Sequence, residues 1–416
     1  MPFMSGLKNT LFLWFLCLMA CGNMGNRDTL APAVVNSDKT QDETAIIVAA
    51  NRTSEYLKYL HNKKVGVVAN PTSVIFKNSD LPQQGHTHLI DSLLALNIAI
   101  KKVFAPEHGF RGQADAGEAV KDGLDTQTGL PIISLYGKNR KPTASQLKGL
   151  DLVLFDIQDV GVRFYTYIAT LQLVMEACAA LDIPVLVLDR PNPNGHYVDG
   201  PTMEKEHQGF LGMTPIPLVY GMTIGEYATM INEEGWLSGG LKAHITVIPL
   251  ENYTHERSYS LPIRPSPNLP NDQSINLYPS LGLFEGTHIN AGRGTEYQFQ
   301  RFGAPFLSEE HFIFTYVPEP NFGSKNPKHK GVICYGQDLS QHPRMDSVSL
   351  KWLIDAYKHS KDQSRFFKTS GFTKHAGTAK LQSAIETGLS EGDIRKSWQA
   401  DLDRFKTVRA KYLIYP

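Results

Sequence analysis

The chain has 416 residues, 41 of them basic and 41 acidic, so its formal net charge is zero. That balance excludes a general nucleic-acid binder, which needs a basic excess to engage phosphates. A hydrophobic content of 42% supports ordinary packed cores, and the length suggests two domains.

In chain order, the first element is a targeting segment. Lys8 is the only basic residue ahead of an apolar run from Thr10 to Ala20. That run is shorter than the ~20 residues a bilayer span takes. It closes on Leu18-Met19-Ala20-Cys21, which resembles a bacterial lipoprotein cleavage box. A signal peptide is therefore expected over 1–21, with lipid on Cys21, and a flexible polar tether over 22–44. The expected location is the periplasm, with the lipid as the only membrane contact, at the outer membrane. Cys178 and Cys334 stay in the mature chain. An oxidising compartment would allow them to pair, though nothing in their spacing requires it.

From residue 45 onward, short apolar runs alternate with helical patterns. Strands are predicted at 65–70, 100–105, 131–137, 150–156 and 184–189, with helices at 92–96 and 170–181. Apolar strands separated by amphipathic helices point to a parallel sheet covered on both faces. The expected fold class is therefore α/β, with a Rossmann-like doubly wound domain over 45–262. Residues 261–280, rich in Pro, Ser and Asn, are expected to cross to a smaller C-terminal α/β auxiliary domain over 263–416 that closes the cleft. In that domain a strand is predicted at 332–335, with helices at 349–357, 378–385 and 398–412. No G-x-G-x-x-G turn, P-loop, zinc-type cysteine pair or H-E-x-x-H helix occurs, so no cofactor and no metal is expected.

Four polar clusters stand at predicted strand ends or in the crossing segment. They are Glu107-His108 with Arg111; Asp156 through Asp159, Arg163 and Tyr165; Asp189-Arg190 with Asn192; and Asn268 with Glu285 and Arg293. In a doubly wound sheet the first three share the carboxyl edge, where ligands bind. Carboxylates, amides and arginines together suit a polyhydroxylated acidic substrate. Glycosidic cleavage needs a carboxylic acid to protonate the leaving oxygen, and Glu107, following a buried strand, fits that role. Each residue also has a plainer reading. Glu107 with Arg111, and Asp159 with Arg163, have the i, i+4 spacing of ion pairs. His108 could be a hydrogen-bonding partner, Asp156 a cap, and Asp189-Arg190 a self-paired loop. Tyr165 and Tyr167 could be ordinary packing. Arg293 between two glycines reads most naturally as a ligand contact.

The clusters fall within longer motifs: F-A-P-E-H-G-F-R-G at 104–112, Asp115-Ala116-Gly117, and Leu135-Tyr136-Gly137. Further along come F-D-I-Q-D-V-G-V-R-F-Y-T-Y at 155–167, L-D-R-P-N-P-N-G at 188–195, P-S-P-N-L-P at 265–270, and F-E-G-T with G-R-G-T at 284–295. In this order, over about 50–416, the chain resembles the bacterial exo-β-N-acetylmuramidase family. The resemblance implies a Rossmann-like domain with an auxiliary domain and a cleft between them. It also implies removal of terminal non-reducing MurNAc from peptidoglycan fragments such as MurNAc-GlcNAc. Carried over residue by residue, Glu107, His108 and Asp156 become the candidate catalytic groups. Arg111, Asp159, Arg163, Tyr165, Asp189, Arg190, Asn192, Asn268, Glu285 and Arg293 become candidate substrate-binding residues. An arginine such as Arg163 or Arg293 could clamp the lactyl carboxylate. His288, Glu296 and Asn271-Asp272 depart from the family pattern and bear on fine specificity. Two other readings remain open: a metal-dependent hydrolase built on His108, Asp156 and Asp159, and a non-catalytic peptidoglycan-binding lipoprotein.

Overall fold

The structure, a computed structural model, describes residues 44–111 and 122–416. The expected signal peptide, Cys21, nearly all of the tether and the Asp115-Ala116-Gly117 stretch lie outside the described residues.

The strands are β1 (Val65–Ala69), β2 (Val74–Phe76), β3 (His86–His88), β4 (Ile100–Ala105), β5 (Gly123–Leu124), β6 (Pro131–Ser134), β7 (Leu152–Asp156), β8 (Val185–Leu188), β9 (Ile245–Ile248), β10 (Arg301–Ala304), β11 (Phe314–Tyr316) and β12 (Cys334–Asp338). The helices are α1 (Thr53–Leu60), α2 (Leu89–Ala95), α3 (Ala144–Leu147), α4 (Tyr167–Ala179), α5 (Ile224–Glu233), α6 (Asp272–Leu281), α7 (Lys351–Lys358), α8 (Thr369–Ala376), α9 (Lys380–Glu386) and α10 (Glu391–Arg409).

Seven strands form one sheet in the order β5-β6-β4-β1-β7-β8-β9, parallel except for the edge strand β5. This is the expected α/β class. The strands β1, β7 and β8 are buried along their whole length. Their alternate residues divide between two apolar clusters, as the two-residue period of a strand requires. Val68, Val153, Phe155, Val185 and Val187 join the larger cluster, while Val67, Leu152, Leu154, Leu186 and Leu188 join the smaller.

The sheet order reverses around β1, with β4 and β6 on one side and β7, β8 and β9 on the other. Such a reversal opens a crevice at the carboxyl ends of the strands, where open α/β sheets bind ligands. Glu107 follows β4 there, and the segment leading to α4 follows β7.

A second, antiparallel sheet has the order β10-β12-β11. It does not own a separate core: Phe284, Phe302, Trp352 and Trp398 belong to the same apolar cluster as Val68 and Phe155.

Three predicted elements need correction. The crossing segment ends early, because Asn271 accepts from the Ser274 backbone N–H at 2.9 Å and caps α6 from Asp272. The strand expected at 332–335 begins only at Cys334, while Val332 and Ile333 are exposed. The last helix starts at Glu391, well before Trp398, under an N-cap from Ser390. Cys178 and Cys334 are both free and buried, so they do not pair.

Candidate functional site

A cavity of about 630 Å³ opens at the carboxyl edge of the large sheet. Its walls come from the loop after β4 (Glu107, His108), the β6–α3 loop (Tyr136, Arg140), the approach to α4 (Phe164, Tyr165, Thr166), residues 207–211, the Ser266–Leu269 stretch, α6 (Tyr278), Glu285, Arg293, Phe299 and the end of α8 (Lys374, His375). Glu107 and Glu285 are the two carboxylates among the described lining residues.

Glu107 is positioned from α4. Thr166 occupies the N-cap of that helix but makes no capping bond; its hydroxyl instead donates to Glu107 Oε2 at 3.1 Å. The Tyr136 hydroxyl also bonds the Glu107 carboxylate, and burial together with that negative charge raises the Tyr136 pKa. Tyr167 donates to the Glu107 carbonyl at 3.4 Å. Beside it, His108 is buried at a backbone φ of 71°. A left-handed conformation is rare for a residue with a side chain and concentrates at functional sites.

Glu285 belongs to a 3-10 turn, Gly282–Gly286, that follows α6 directly. Burial pushes its carboxyl pKa up, but the charges of Arg293 and Lys328 outweigh burial and hold it at about 2. Arg293 Nη1 stands 2.9 Å from Glu285 Oε2. The Lys328 ammonium lies within hydrogen-bond reach of the carbonyls of Phe284 (2.9 Å), Thr287 (2.9 Å) and Ile289 (3.1 Å), and so pins the turn from below. Burial in turn brings the Lys328 pKa down to about 8. Gly286 is required because a Cβ there would fall 2.3 Å from the Phe372 Cα of α8. That close approach brings Lys374 and His375 to the cavity. Burial lowers the His375 pKa, favouring the neutral ring.

The remaining wall is aromatic. Tyr165 packs edge-on to Tyr167 at 4.8 Å and donates to the Pro265 carbonyl at 2.6 Å, which fixes the Ser266–Leu269 stretch. Asn268 is held there by its amide, which donates to the Gly323 carbonyl at 2.7 Å. Phe164, Tyr278 and Phe299 continue the surface, with Phe164–Tyr278 at 5.1 Å and Tyr278–Phe299 at 4.7 Å. Arg140 lies over the Phe210 ring at 4.1 Å.

The cavity thus brings together Glu107, His108, Tyr165, Asn268, Glu285 and Arg293 from the sequence-predicted set. The others support it from outside the lining. Asp156 is fully buried, gripped by Arg190 through two bonds of 2.6 and 2.8 Å, and outside the described cavity lining. Asp159 accepts from the Tyr220 hydroxyl and from the Gly161 N–H, and burial raises its pKa to about 6. Arg163 does not pair with Asp159. It is 1% exposed and donates to the carbonyls of Pro201, Ile216, His375 and Ala376, so it cannot clamp a ligand carboxylate. Asp189 takes the hydroxyls of Thr223 (2.7 Å) and Tyr415 (2.6 Å) and the Gly225 N–H (2.9 Å). Asn192 braces the loop through the Met222 carbonyl at 2.8 Å and the Asn194 N–H at 2.9 Å. Arg111 grips Asp125 with two 2.8 Å bonds and reaches Asp91 at 3.0 Å, rather than pairing with Glu107. With Asp156 and Asp159 engaged in this way, the metal reading built on them and His108 loses two of its three ligands.

Sequence reasoning missed Arg140, residues 207–211, Tyr278, Phe299, Lys374 and His375, and it saw Phe164 and Thr166 only inside the 155–167 motif. Tyr136 was visible only inside the Leu-Tyr-Gly motif.

An α/β cleft whose described lining holds two glutamates, aromatic faces and basic side chains suits a glycoside hydrolase. The comparisons agree. Residues 65–273 match the family model "Exo-beta-N-acetylmuramidase NamZ, N-terminal", and residues 276–415 match the C-terminal model of the same family. A Bacillus subtilis protein named peptidoglycan beta-N-acetylmuramidase NamZ is 36% identical over 433 residues, covering 98% of this chain and all of the relative. Two solved structures of DUF1343 family proteins from Bacteroides fragilis are also similar. One has a TM-score of 0.80 at 41% identity and the other 0.75 at 28%; each match covers 89% of this chain and 99% of the other. The chain belongs to the NamZ exo-β-N-acetylmuramidase family of glycoside hydrolases.

Proposed function

We propose that this cleft releases terminal non-reducing MurNAc from peptidoglycan fragments such as MurNAc-GlcNAc, with Glu107 as the proton donor. One observation carries the assignment of roles. Of the two glutamates among the described lining residues, Glu285 is held ionised by Arg293 and Lys328, so it has no proton to give. Glu107 is then the acid that protonates the departing GlcNAc oxygen. Glu285 supplies fixed negative charge to the cationic sugar of the transition state, and Arg293 keeps it charged and in place. Asn268 and His108 complete the polar contacts, and the Tyr165–Tyr278–Phe299 wall packs on the apolar sugar face. With Arg163 committed to backbone carbonyls, the lactyl carboxylate falls to Arg140, Arg293 or Lys374. The family membership and the Bacillus subtilis relative support the substrate class.

The direct test is to incubate the chain lacking residues 1–21 with MurNAc-GlcNAc. Release of free MurNAc and GlcNAc is expected. Saturable binding with no release would replace this reading with a glycan-binding role.

We further propose that the protein is a periplasmic lipoprotein acylated at Cys21, on the strength of the apolar run and the Leu18-Met19-Ala20-Cys21 box. No described helix is long and apolar enough to cross a membrane. Metabolic labelling with a fatty-acid analogue tests this: label lost in Cys21→Ser is expected, and unlabelled wild-type protein would refute it.

A further inference from the structure

A second cluster of ligating side chains stands apart from the cavity lining. Asp355 and His359 lie one turn apart at the C-terminal end of α7, and His311 comes from the turn at 308–312. The backbone ties the two segments together. The Ser308 N–H donates to the His359 carbonyl at 3.0 Å, and the Lys361 N–H to the Phe306 carbonyl at 2.9 Å. On this scaffold the two imidazole rings stack face to face, 3.5 Å apart and 5° from parallel. Both address one carboxylate: His311 Nε2 is 3.0 Å from Asp355 Oδ2, and His359 Nδ1 is 3.1 Å from Oδ1. One ligand atom from each of the three residues lies within 4.8 Å of the others.

We propose that His311, Asp355 and His359 form a binding site for a divalent transition-metal ion, zinc above all, with the remaining position filled by water. Two imidazoles with one carboxylate match the preference of zinc, whereas calcium and magnesium take oxygen ligands. Zinc–ligand bonds of 2.0–2.2 Å at a tetrahedral centre place ligand atoms roughly 3.3 Å apart. The N–O spacings of 3.0 and 3.1 Å open by a few tenths of an ångström. At least one ring also turns out of the stack on binding, because an imidazole holds a metal in its own plane and the two planes are parallel. His359 Nδ1 gives up the Asp355 backbone carbonyl 3.0 Å away in the same step. Binding requires both rings neutral with a lone pair turned inward, so coordinate bonds replace their hydrogen bonds to Asp355. His311 is 40% exposed and His359 37%, leaving the ion a way in. The bound ion clips the 308–312 turn to α7 and takes no part in sugar cleavage.

The other candidate group, Glu204, Glu206 and His207, is a poorer ligand set. It has a single imidazole, and Lys380 Nζ already stands 2.6 Å from Glu204.

The test is calorimetric titration of ZnCl₂ into the full chain, purified through a tag without histidine and stripped with chelator. One saturable site of about micromolar Kd is expected, with the Tm rising as zinc is added. His311→Ala and His359→Ala should each weaken zinc binding about tenfold or more, while MurNAc release stays unchanged. In the unaltered protein, zinc should shield His311 and His359 from carbethoxylation, a readout that needs no variant to fold. Absence of saturable binding would overturn the proposal. So would undiminished binding in the His311→Ala/His359→Ala double variant, or loss of binding in His207→Ala alone.

Discussion

Arg293 Nη1 sits 2.9 Å from Glu285 Oε2, and together with the Lys328 charge it holds one of the two glutamates of the described cavity lining ionised. The Glu285 carboxyl stands at about 2 in the folded chain against 4.5 without its neighbours. A carboxyl whose pKa falls on folding adds stability that is fully present above its unfolded value and is lost as pH drops through the folded one. The Glu285 contribution should therefore persist above about pH 4.5 and fade toward pH 2. Arg293→Ala should shift the acid limb of the kcat/KM profile upward by about one to three pH units. A pH–rate profile of the variant checks this; an acid limb identical to wild type would remove Glu285 from the mechanism.

Glu107→Gln keeps the shape and the acceptor oxygen for Thr166 and Tyr136 but has no acidic proton to give. The expected result is a kcat lower by about 10² to 10⁴, with binding of MurNAc-GlcNAc retained. Steady-state release and calorimetry on the same preparation separate the two effects. Near-normal turnover would reassign the acid.

Much of the fold was legible because a parallel strand buried on both faces leaves an uninterrupted apolar run. Val65–Ala69, Leu152–Asp156 and Val185–Leu188 are such runs. Glu107 was legible for a related reason: it follows β4 at a proline, on the edge where the sheet order reverses. Asp156 and Asp189 stand at equivalent strand ends and have equally suggestive neighbours, yet both are fully buried. Their partners, Arg190 for Asp156 and Thr223 with Tyr415 for Asp189, lie 34 to 226 positions away, beyond what local patterning can read. The aromatic wall was hidden differently, since Phe164, Tyr278 and Phe299 look like core residues until the cavity is drawn. His375 and Lys374 ride on α8, whose Thr-Ser-Gly opening carries no helix signal. That helix is placed by the Gly286–Phe372 approach rather than by its own sequence.

The Asp156–Arg190 pair makes the opposite prediction to Glu107. Asp156→Asn weakens a bidentate contact and leaves the buried Arg190 charge uncompensated. The expected cost is about 3–5 kcal/mol of stability. Molecules that remain folded should turn over at close to the wild-type rate. Denaturant unfolding with an active-site titration tests both halves. A stable but inactive variant would return Asp156 to the catalytic set.

The choice of substrate gives the last prediction. MurNAc differs from GlcNAc by a lactyl ether bearing a carboxylate, so an enzyme selective for MurNAc must spend a cation on that group. Arg163 is excluded by its four backbone carbonyls, and Arg293 is already engaged by Glu285. Arg140 is exposed at the cavity wall, with its guanidinium carbon over the Phe210 ring, 4.1 Å from the centroid. Such stacking restricts the side chain without consuming its N–H donors, so little entropy is lost when it grips a carboxylate. Arg140→Ala should raise KM for MurNAc-GlcNAc by about tenfold or more, the scale of one charge-assisted hydrogen bond. It should leave binding of the uncharged GlcNAc-GlcNAc nearly unaltered. Phe210→Ala should do the same more weakly, because it frees the arginine without removing it. If neither change narrows the preference for the lactyl sugar while Lys374→Ala does, the carboxylate is read from α8 instead.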